Sequence, residues 1–352
     1  VTEDTGSMTV RELGEFALIE RINRRRVQAP GVLLGPGDDA ALVAAPDGRF
    51  VVTTDMLVQD RHFRLDWSSP VDIGRKAIAQ NAADVVAMGA TPSAFVVALG
   101  LPAETPVAVV DGLAEGMWAE AGRAGASIAG GDLVRSREIV ISVTAFGDLA
   151  GRTPVPRSGA RVGDTVAVAG RLGWSAAGLA VLTAGVRSDR FAEVLAAHRV
   201  PQPPYAAVLG VLTAGAAEDA AAQCAESGAA AVATSGPNAL TDVSDGLLAD
   251  LGHIAAASAV AIELDSAALR DPALEQIAAA LDADATQWIL TGGEDHAFAA
   301  TWPPGCPLPA GWVPIGRVCA GHGVTVDGTT RRGSAGWESF GGADSAPARE
   351  PR

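Results

Sequence analysis

Six short segments place an Asp or Glu among glycines and small residues, most of them directly after an apolar run. They are Gly35–Leu42 (GPGDDAAL), Val51–Leu57 (VVTTDML), Asn81–Ala90 (NAADVVAMGA), Ala129–Ser136 (AGGDLVRS), Thr241–Leu248 (TDVSDGLL) and Thr291–Phe298 (TGGEDHAF). Carboxylates at strand ends and helix starts are hard oxygen ligands, and adjacent glycines let a ligand approach the backbone. The chemistry implied is Mg²⁺ held against phosphate. Two carboxylates about 4 Å apart repel by about 4 kcal/mol at an effective dielectric of about 20, so several that converge require cations. Conversely, a chain of net charge −15 can hold a polyphosphate only if metal ions screen it.

Taken singly, each segment also has a plain structural explanation. Asp38 and Asp39 follow Gly35-Pro36-Gly37, where a turn with a helix cap competes with metal ligation. Thr53, Thr54 and Asp55 set hydroxyls or carbonyls beside a carboxylate, as Mg²⁺ demands, yet a strand terminus has the same composition. Asp84 shares a helical face with Ile73, Ala77 and Met88, so it needs a partner, either a metal or an arginine such as Arg75. Gly130-Gly131-Asp132 reads as a tight turn whose amides could also cradle a phosphate. Asp242 ends a short strand, whereas Asp245 stands where the N-cap of the next helix belongs. Glu294 and Asp295, after Gly292-Gly293, are open to cap, turn and ligand readings. His62 lies in a polar loop, and His253 and His296 read as ordinary helix or strand residues.

The elements that must position these groups alternate in type. An amphipathic helix over Arg11–Ile22 precedes strands at Phe50–Thr54, Ala94–Gly100 and Glu138–Gly147, with helices near Val71–Met88 and Pro106–Ala124 between them. Gly151–Asp164, rich in Gly, Pro and Arg, is the expected domain junction. Beyond it come a strand at Thr165–Ala169, Ala-rich helices to about Ala231, strands at Asn238–Asp242 and Ala259–Leu264 around a helix at Gly246–Ser258, and strands near His296–Thr301, Val313–Arg317 and Val324–Val326. The expected organisation is a flexible leader (1–10), an N-terminal domain (11–150), a C-terminal α/β domain (151–340) and a disordered tail (341–352).

Composition narrows the function. Lys76 is the only lysine and no Gly-x-x-x-x-Gly-Lys-Ser/Thr segment occurs, which argues against a lysine-dependent phosphate loop. The acidic balance argues against nucleic acid or anionic membrane as partners. Cys224, Cys306 and Cys319 are far apart, and no apolar run reaches the length of about 18 residues that a membrane helix needs, so a cytoplasmic protein with reduced thiols is expected.

Read together, GDDAAL, TTDMLVQDRHF, DIGRKAIAQNAADVVAMGA, GGDLVR, RSGARVGD, SAAGL, TDVSDGLLADLGHI and GGED resemble the thiamine-monophosphate kinase family, over about Gly14 to Phe340. That family is grouped with aminoimidazole ribonucleotide synthetase, selenophosphate synthetase and a hydrogenase-maturation dehydratase. The resemblance implies a two-domain α/β (α+β) fold of the aminoimidazole ribonucleotide synthetase type, whose N-terminal mixed sheets join into a barrel in a homodimer. It implies direct phosphoryl transfer from ATP to thiamine monophosphate, giving thiamine diphosphate, with several Mg²⁺ ions. Carried over by motif, Asp39, Thr53, Thr54, Asp55, Asp84, Asp132, Asp242 and Asp245 are the expected metal ligands. Gly131, Asp132, Arg157 and Ser244 are the expected ATP contacts, and His62, Glu294 and Trp337 are expected to receive the thiamine end. No residue is assigned as a general base. Trp174 and His296 depart from the family pattern, in which Asp and Tyr are common. Within the group, selenophosphate synthetase is disfavoured because the first cysteine is Cys224, and the hydrogenase relative because the chain ends Glu350-Pro351-Arg352. A non-catalytic nucleotide sensor and a Mg²⁺ phosphohydrolase are the rival classes.

Overall fold

The computed structural model describes residues 8–35, 41–212, 236–331, 333 and 335–337. Its first part runs α1 (Val10–Leu13), α2 (Glu15–Asn23), β1 (Val32–Leu34), β2 (Leu42–Val43), β3 (Val51–Val58), α3 (Pro70–Ala87), β4 (Thr91–Leu101), α4 (Val107–Arg123), β5 (Ser127–Arg135) and β6 (Val140–Asp148). The second part runs β7 (Thr165–Ala169), α5 (Trp174–Thr183), α6 (Ala192–Arg199), β8 (Ala239–Val243), α7 (Leu247–Ser258), β9 (Ala261–Leu264), α8 (Pro272–Leu281), α9 (Ala285–Thr291), β10 (Ala297–Trp302), β11 (Trp312–Cys319) and β12 (Gly323–Val326). The first sheet has the order β3-β6-β4-β5, in which only the β4–β5 pair is parallel. The second has the order β12-β9-β11-β7-β10-β8 and is mixed.

Helix α3 is the layer between them. Ser69 and Asp72 close a capping box with Pro70 at the first turn, and Met88-Gly89 ends the helix with Gly89 at φ +80°. Its small residues let it be buried on several sides at once: Ala77, Ala79, Ala82 and Ala83 are all within 1% of fully buried. One apolar core runs from the first sheet through this helix to Leu240, Phe298, Ala300 and Trp302 of the second sheet. A second core fills the far side of that sheet beneath α5, α7, α8 and α9.

Several expectations need correction. The helix anticipated over Arg11–Ile22 is split by Gly14, which stands at φ +81° between α1 and α2. Met8 to Val10, counted in the leader, are tied to the body by bonds from Val107 N to Met8 O (2.7 Å) and from Val10 N to Thr105 O (2.9 Å). Gly130-Gly131-Asp132 is no turn: strand β5 passes straight through it, and a side chain at Gly131 would meet the Val97 carbonyl at 2.0 Å. Helices α8 and α9 were not anticipated, although Asp271 and Asp284 cap them. Residues 1–7, the Ala-rich run of 213–235 and the tail from Gly341 lie outside the described residues. Among the described residues no helix is long and apolar enough to cross a membrane.

Candidate active site

Strand alternation sorts the acidic residues of the first sheet. Asp55 pairs with Val143, Val143 with Val97, and Val97 with Gly131, so this row shares one face. Thr53, Asp55 and the buried Leu57 face helix α3: the Thr53 hydroxyl donates to Asp84 Oδ2 (2.9 Å), and the Asp55 amide donates to Asn81 Oδ1 (3.0 Å). Thr54 points the other way, with its hydroxyl on the Val143 carbonyl (2.9 Å). Asp132 pairs with Ala98, which pairs with Ser142 opposite Met56; it lies on that second, open face and is exposed. Asp38 and Asp39 are outside the described residues.

From the second sheet, β8 delivers Asp242 and Asp245 to the same cleft as Asp55 and Asp84. Asp242 is buried, and its Oδ2 meets His296 Nδ1 at 3.0 Å. Asp245 is not the helix cap that its position suggested. Asp250, one turn inside α7, accepts the amides of Asp245 (3.1 Å) and Gly246 (3.0 Å), which leaves the Asp245 carboxylate free of that task. Arg75 is likewise no partner of Asp84, because its guanidinium is held by Glu120 at 3.0 Å. Nor is Trp174 a cleft residue; it is buried, with its indole N–H on Asp271 (2.9 Å).

The electrostatics show that these carboxylates feel one another. Burial, then the charges of Asp242 and Asp55, push the Asp84 carboxyl up to about 7. Burial and then Asp242 also push Asp250 up to about 7. Burial raises Asp55 as well, with His296 opposing and Asp242 adding to the rise. Asp245 is raised by burial and by Asp242, against His253, His296 and Arg157. Burial alone would depress the His296 ring, but its hydrogen bond to Asp242 and the charges of Asp242, Asp84 and Glu294 together outweigh that and raise it. Among the described residues no three Asp, Glu, His or Cys side chains close around one point to form a complete metal cage. An all-oxygen donor set of this kind suits Mg²⁺, which binds through one or two carboxylates and fills its remaining positions with water and substrate phosphate.

Around this centre lie the other expected residues. Arg157 Nε donates to Thr241 Oγ1 (3.2 Å), and its charge acts on Asp245. The Ser244 carbonyl accepts the Glu294 amide (2.7 Å), so the 292–296 loop is hung directly on the strand end. A side chain at Gly293 would meet that same carbonyl at 2.7 Å, which explains the glycine. Trp337, 64% exposed, is fixed by its amide on the Asp245 carbonyl (2.9 Å) and stands beside the cluster. His62 Nδ1 accepts the Val58 amide (3.0 Å), so the neutral ring carries its proton on Nε2. At strand β5, a cavity of about 760 Å³ reaches Gly131 and Asp132; Ile19, Val97, Met117 and Trp118 are among its apolar walls. The expected ATP contacts thus fall in two places within one chain. Asp250, Asn81 and Lys76 escaped the sequence reading. Only Lys76 gave a signal, as the single lysine of the sequence.

Residues 37–149, which carry Asp55 and Asp84, match the family described as AIR synthase related protein, N-terminal domain. The thiamine-monophosphate kinase of Mycobacterium tuberculosis is 56% identical over 97% of this chain and 96% of its own length. The crystal structure of thiamine-monophosphate kinase from Stenotrophomonas maltophilia superposes with a TM-score of 0.74 at 33% identity, covering 90% of this chain and 97% of that one. AaThiL complexed with AMPPCP and TMP superposes with a TM-score of 0.73 at 30% identity, covering 95% and 99%. The chain belongs to the thiamine-monophosphate kinase family and is an enzyme of the kinase class.

Proposed function

We propose that this chain transfers the γ-phosphoryl group of ATP directly to thiamine monophosphate, producing ADP and thiamine diphosphate. The observation that carries this reading is the gathering of Asp55, Asp84, Asp242 and Asp245 from two sheets into one cleft, where burial and their mutual repulsion hold Asp55, Asp84 and Asp245 above the usual carboxylate range despite His296 and Arg157. The AaThiL complex with AMPPCP and TMP supports the same pair of substrates.

Mg²⁺, when bound to these carboxylates, would neutralise the phosphate oxygens of donor and acceptor so that two polyanions can meet. The chain's own work is positioning. Thr53 fixes Asp84, Asn81 fixes the Asp55 backbone, His296 fixes Asp242, and Asp250 holds the turn that presents Asp245. We assign Arg157, beside Thr241 and Asp245, and Ser244 to the phosphates of ATP. A phosphate monoester has its second pKa at about 6, so the acceptor is already largely ionised at neutral pH and needs no strong base. Trp337 offers an exposed indole for stacking on the thiamine rings, with Glu294 and His62 completing that end.

Asp132, on the sheet's open face, and its neighbour Gly131, both lining the cavity at strand β5, would engage ATP. That face exposes Phe50, Val52, Met56 and Val134, each more than half accessible, which supports a homodimer closed through it. We read residues 11–150 as the ATP-binding and dimerisation domain, residues 151–340 as the α/β domain, and the location as cytoplasmic.

The test is an assay of the purified protein with ATP and Mg²⁺, with and without thiamine monophosphate, analysed by mass. Thiamine diphosphate should form only in the complete mixture and vanish with EDTA. Release of inorganic phosphate without the acceptor would mark a phosphohydrolase instead.

A further inference from the structure

The only lysine of this chain is buried beside the acceptor end of the cleft. Lys76 is 3% exposed, and its ammonium donates to Glu294 Oε1 (2.7 Å) and to the His62 carbonyl (3.0 Å). These two partners come from opposite sides of the cleft: His62 follows β3 of the first sheet, and Glu294 precedes β10 of the second. Both are residues that the sequence resemblance directs to the thiamine end.

Glu294 is held in a backbone conformation that requires such support. It stands at φ +65°, and His296 two residues on stands at φ +50°, a region that non-glycine residues populate only when their surroundings impose it. Burial pushes the Glu294 carboxyl up, but the Lys76 ammonium, followed by His198, outweighs this and holds it below the usual carboxylate range. His198 lies 3.8 Å from Glu294 Oε2 and contacts Ser175 Oγ at 3.2 Å. Its ring is depressed to about 4, chiefly by burial, so at neutral pH it contributes no full charge. Lys76 is therefore the side chain paired directly with this carboxylate. One oxygen of Glu294 is occupied by Lys76, while about a third of the side chain, at 34%, stays accessible to a ligand.

The geometry points to Lys76 as the positioning residue of the acceptor pocket: it locks Glu294 and the His62 loop into one arrangement across the cleft and thereby sets affinity for the organic end of the phosphorylated acceptor. An ammonium suits this role because it is a compact charge whose three donors can serve acceptors arriving from different directions. The same contacts withdraw Lys76 from the phosphates, so the lysine acts on specificity and not on the transferred group. This rests on the acceptor assignment proposed above.

The test is a double-mutant cycle on the full chain with Lys76→Met, Glu294→Gln and the pair, measuring KM for thiamine monophosphate and for ATP separately. Lys76→Met should raise KM for thiamine monophosphate at least tenfold and leave KM for ATP within twofold. In the Glu294→Gln background the same change should add less than twofold, because the lysine acts through that carboxylate. Equal rises in both KM values, or effects that multiply, would overturn the proposal. If Lys76→Met does not fold, the unmodified protein labelled with [ε-¹³C]lysine provides a single resonance. It should shift with thiamine monophosphate and not with AMPPCP alone; no shift, or the same shift with both, refutes it. Absence of wild-type turnover would instead overturn the kinase reading and take this inference with it.

Discussion

Asp84→Asn should make the metal-free protein more stable while destroying its activity. The folded environment makes Asp84 harder to ionise than in the unfolded chain, moving its carboxyl from 3.8 to about 7. The cost of the charged form is therefore absent below pH 4, grows as the pH rises, and is complete above about 7. A shift of about 3 pH units corresponds to at most about 4 kcal/mol at pH 8. Asparagine keeps the volume and an acceptor for the Thr53 hydroxyl but still buries a polar group, so a gain on the order of 1–3 kcal/mol is expected. For a chain of this size that is roughly 2–10 °C in Tm, measured by calorimetry in EDTA at pH 8. Mg²⁺ should raise the Tm of the wild type and have less effect on the variant. Turnover should fall about 100-fold or more, since several kcal/mol of charge stabilisation depend on the ligand. An unchanged or lower Tm for the metal-free variant, or near-normal turnover, would refute the view of this cleft as a repulsive carboxylate cluster awaiting cations.

Other outcomes follow from the same geometry. Asp55→Ala should abolish transfer with the fold retained, checked by turnover alongside circular dichroism; substantial residual turnover would remove it from the ligand set. Trp337→Ala should leave Tm unchanged, as the indole is 64% exposed, and chiefly raise KM for thiamine monophosphate; a rise confined to KM for ATP would contradict stacking at the acceptor end. His198 is harder to protonate folded than unfolded, so its contribution is full above pH 6.5 and is lost as the pH falls toward 4, by up to about 3 kcal/mol. The buried carboxylates change in the opposite sense, so the readout is a difference: stability of His198→Gln should decline less than that of the wild type between pH 7 and 4.5, and parallel curves would refute it.

Much of the fold was legible because the long elements have strong local signals. Ser69-Pro70 and Gly89 bracket α3, and the alternation of Ile139, Ile141 and Val143 marks β6. The strand at Thr165–Ala169 was read to the residue. Short helices capped by Asp271 and Asp284 were overlooked because so few turns give little periodicity. Gly130-Gly131 misled for a different reason: glycine there answers to the close approach of the Val97 carbonyl, a tertiary demand that imitates a turn in sequence. In the site, motif spacing named Asp55, Asp84, Asp242 and Asp245. It had no means of telling that Thr54 and Asp132 face the opposite side of the sheet, or that Asp250 rather than Asp245 serves the turn.

The way α3 is packed explains why stability and site cannot be separated here. An amphipathic surface helix would offer one face to the core and leave its polar residues in water. This helix lies between two sheets, so its polar residues must find partners inside the protein, and they do so in sequence along its length. Lys76 reaches the His62 loop and Glu294, Asn81 reaches the Asp55 strand, and Asp84 reaches Thr53. Each bond ties the helix to one of the strands or loops that carry cleft residues. Small-to-large changes at Ala79 or Ala83, both fully buried, would therefore displace the carboxylates as well as strain the core. Activity should be lost at such positions before cooperative unfolding is, because catalysis by positioning tolerates less displacement than packing does.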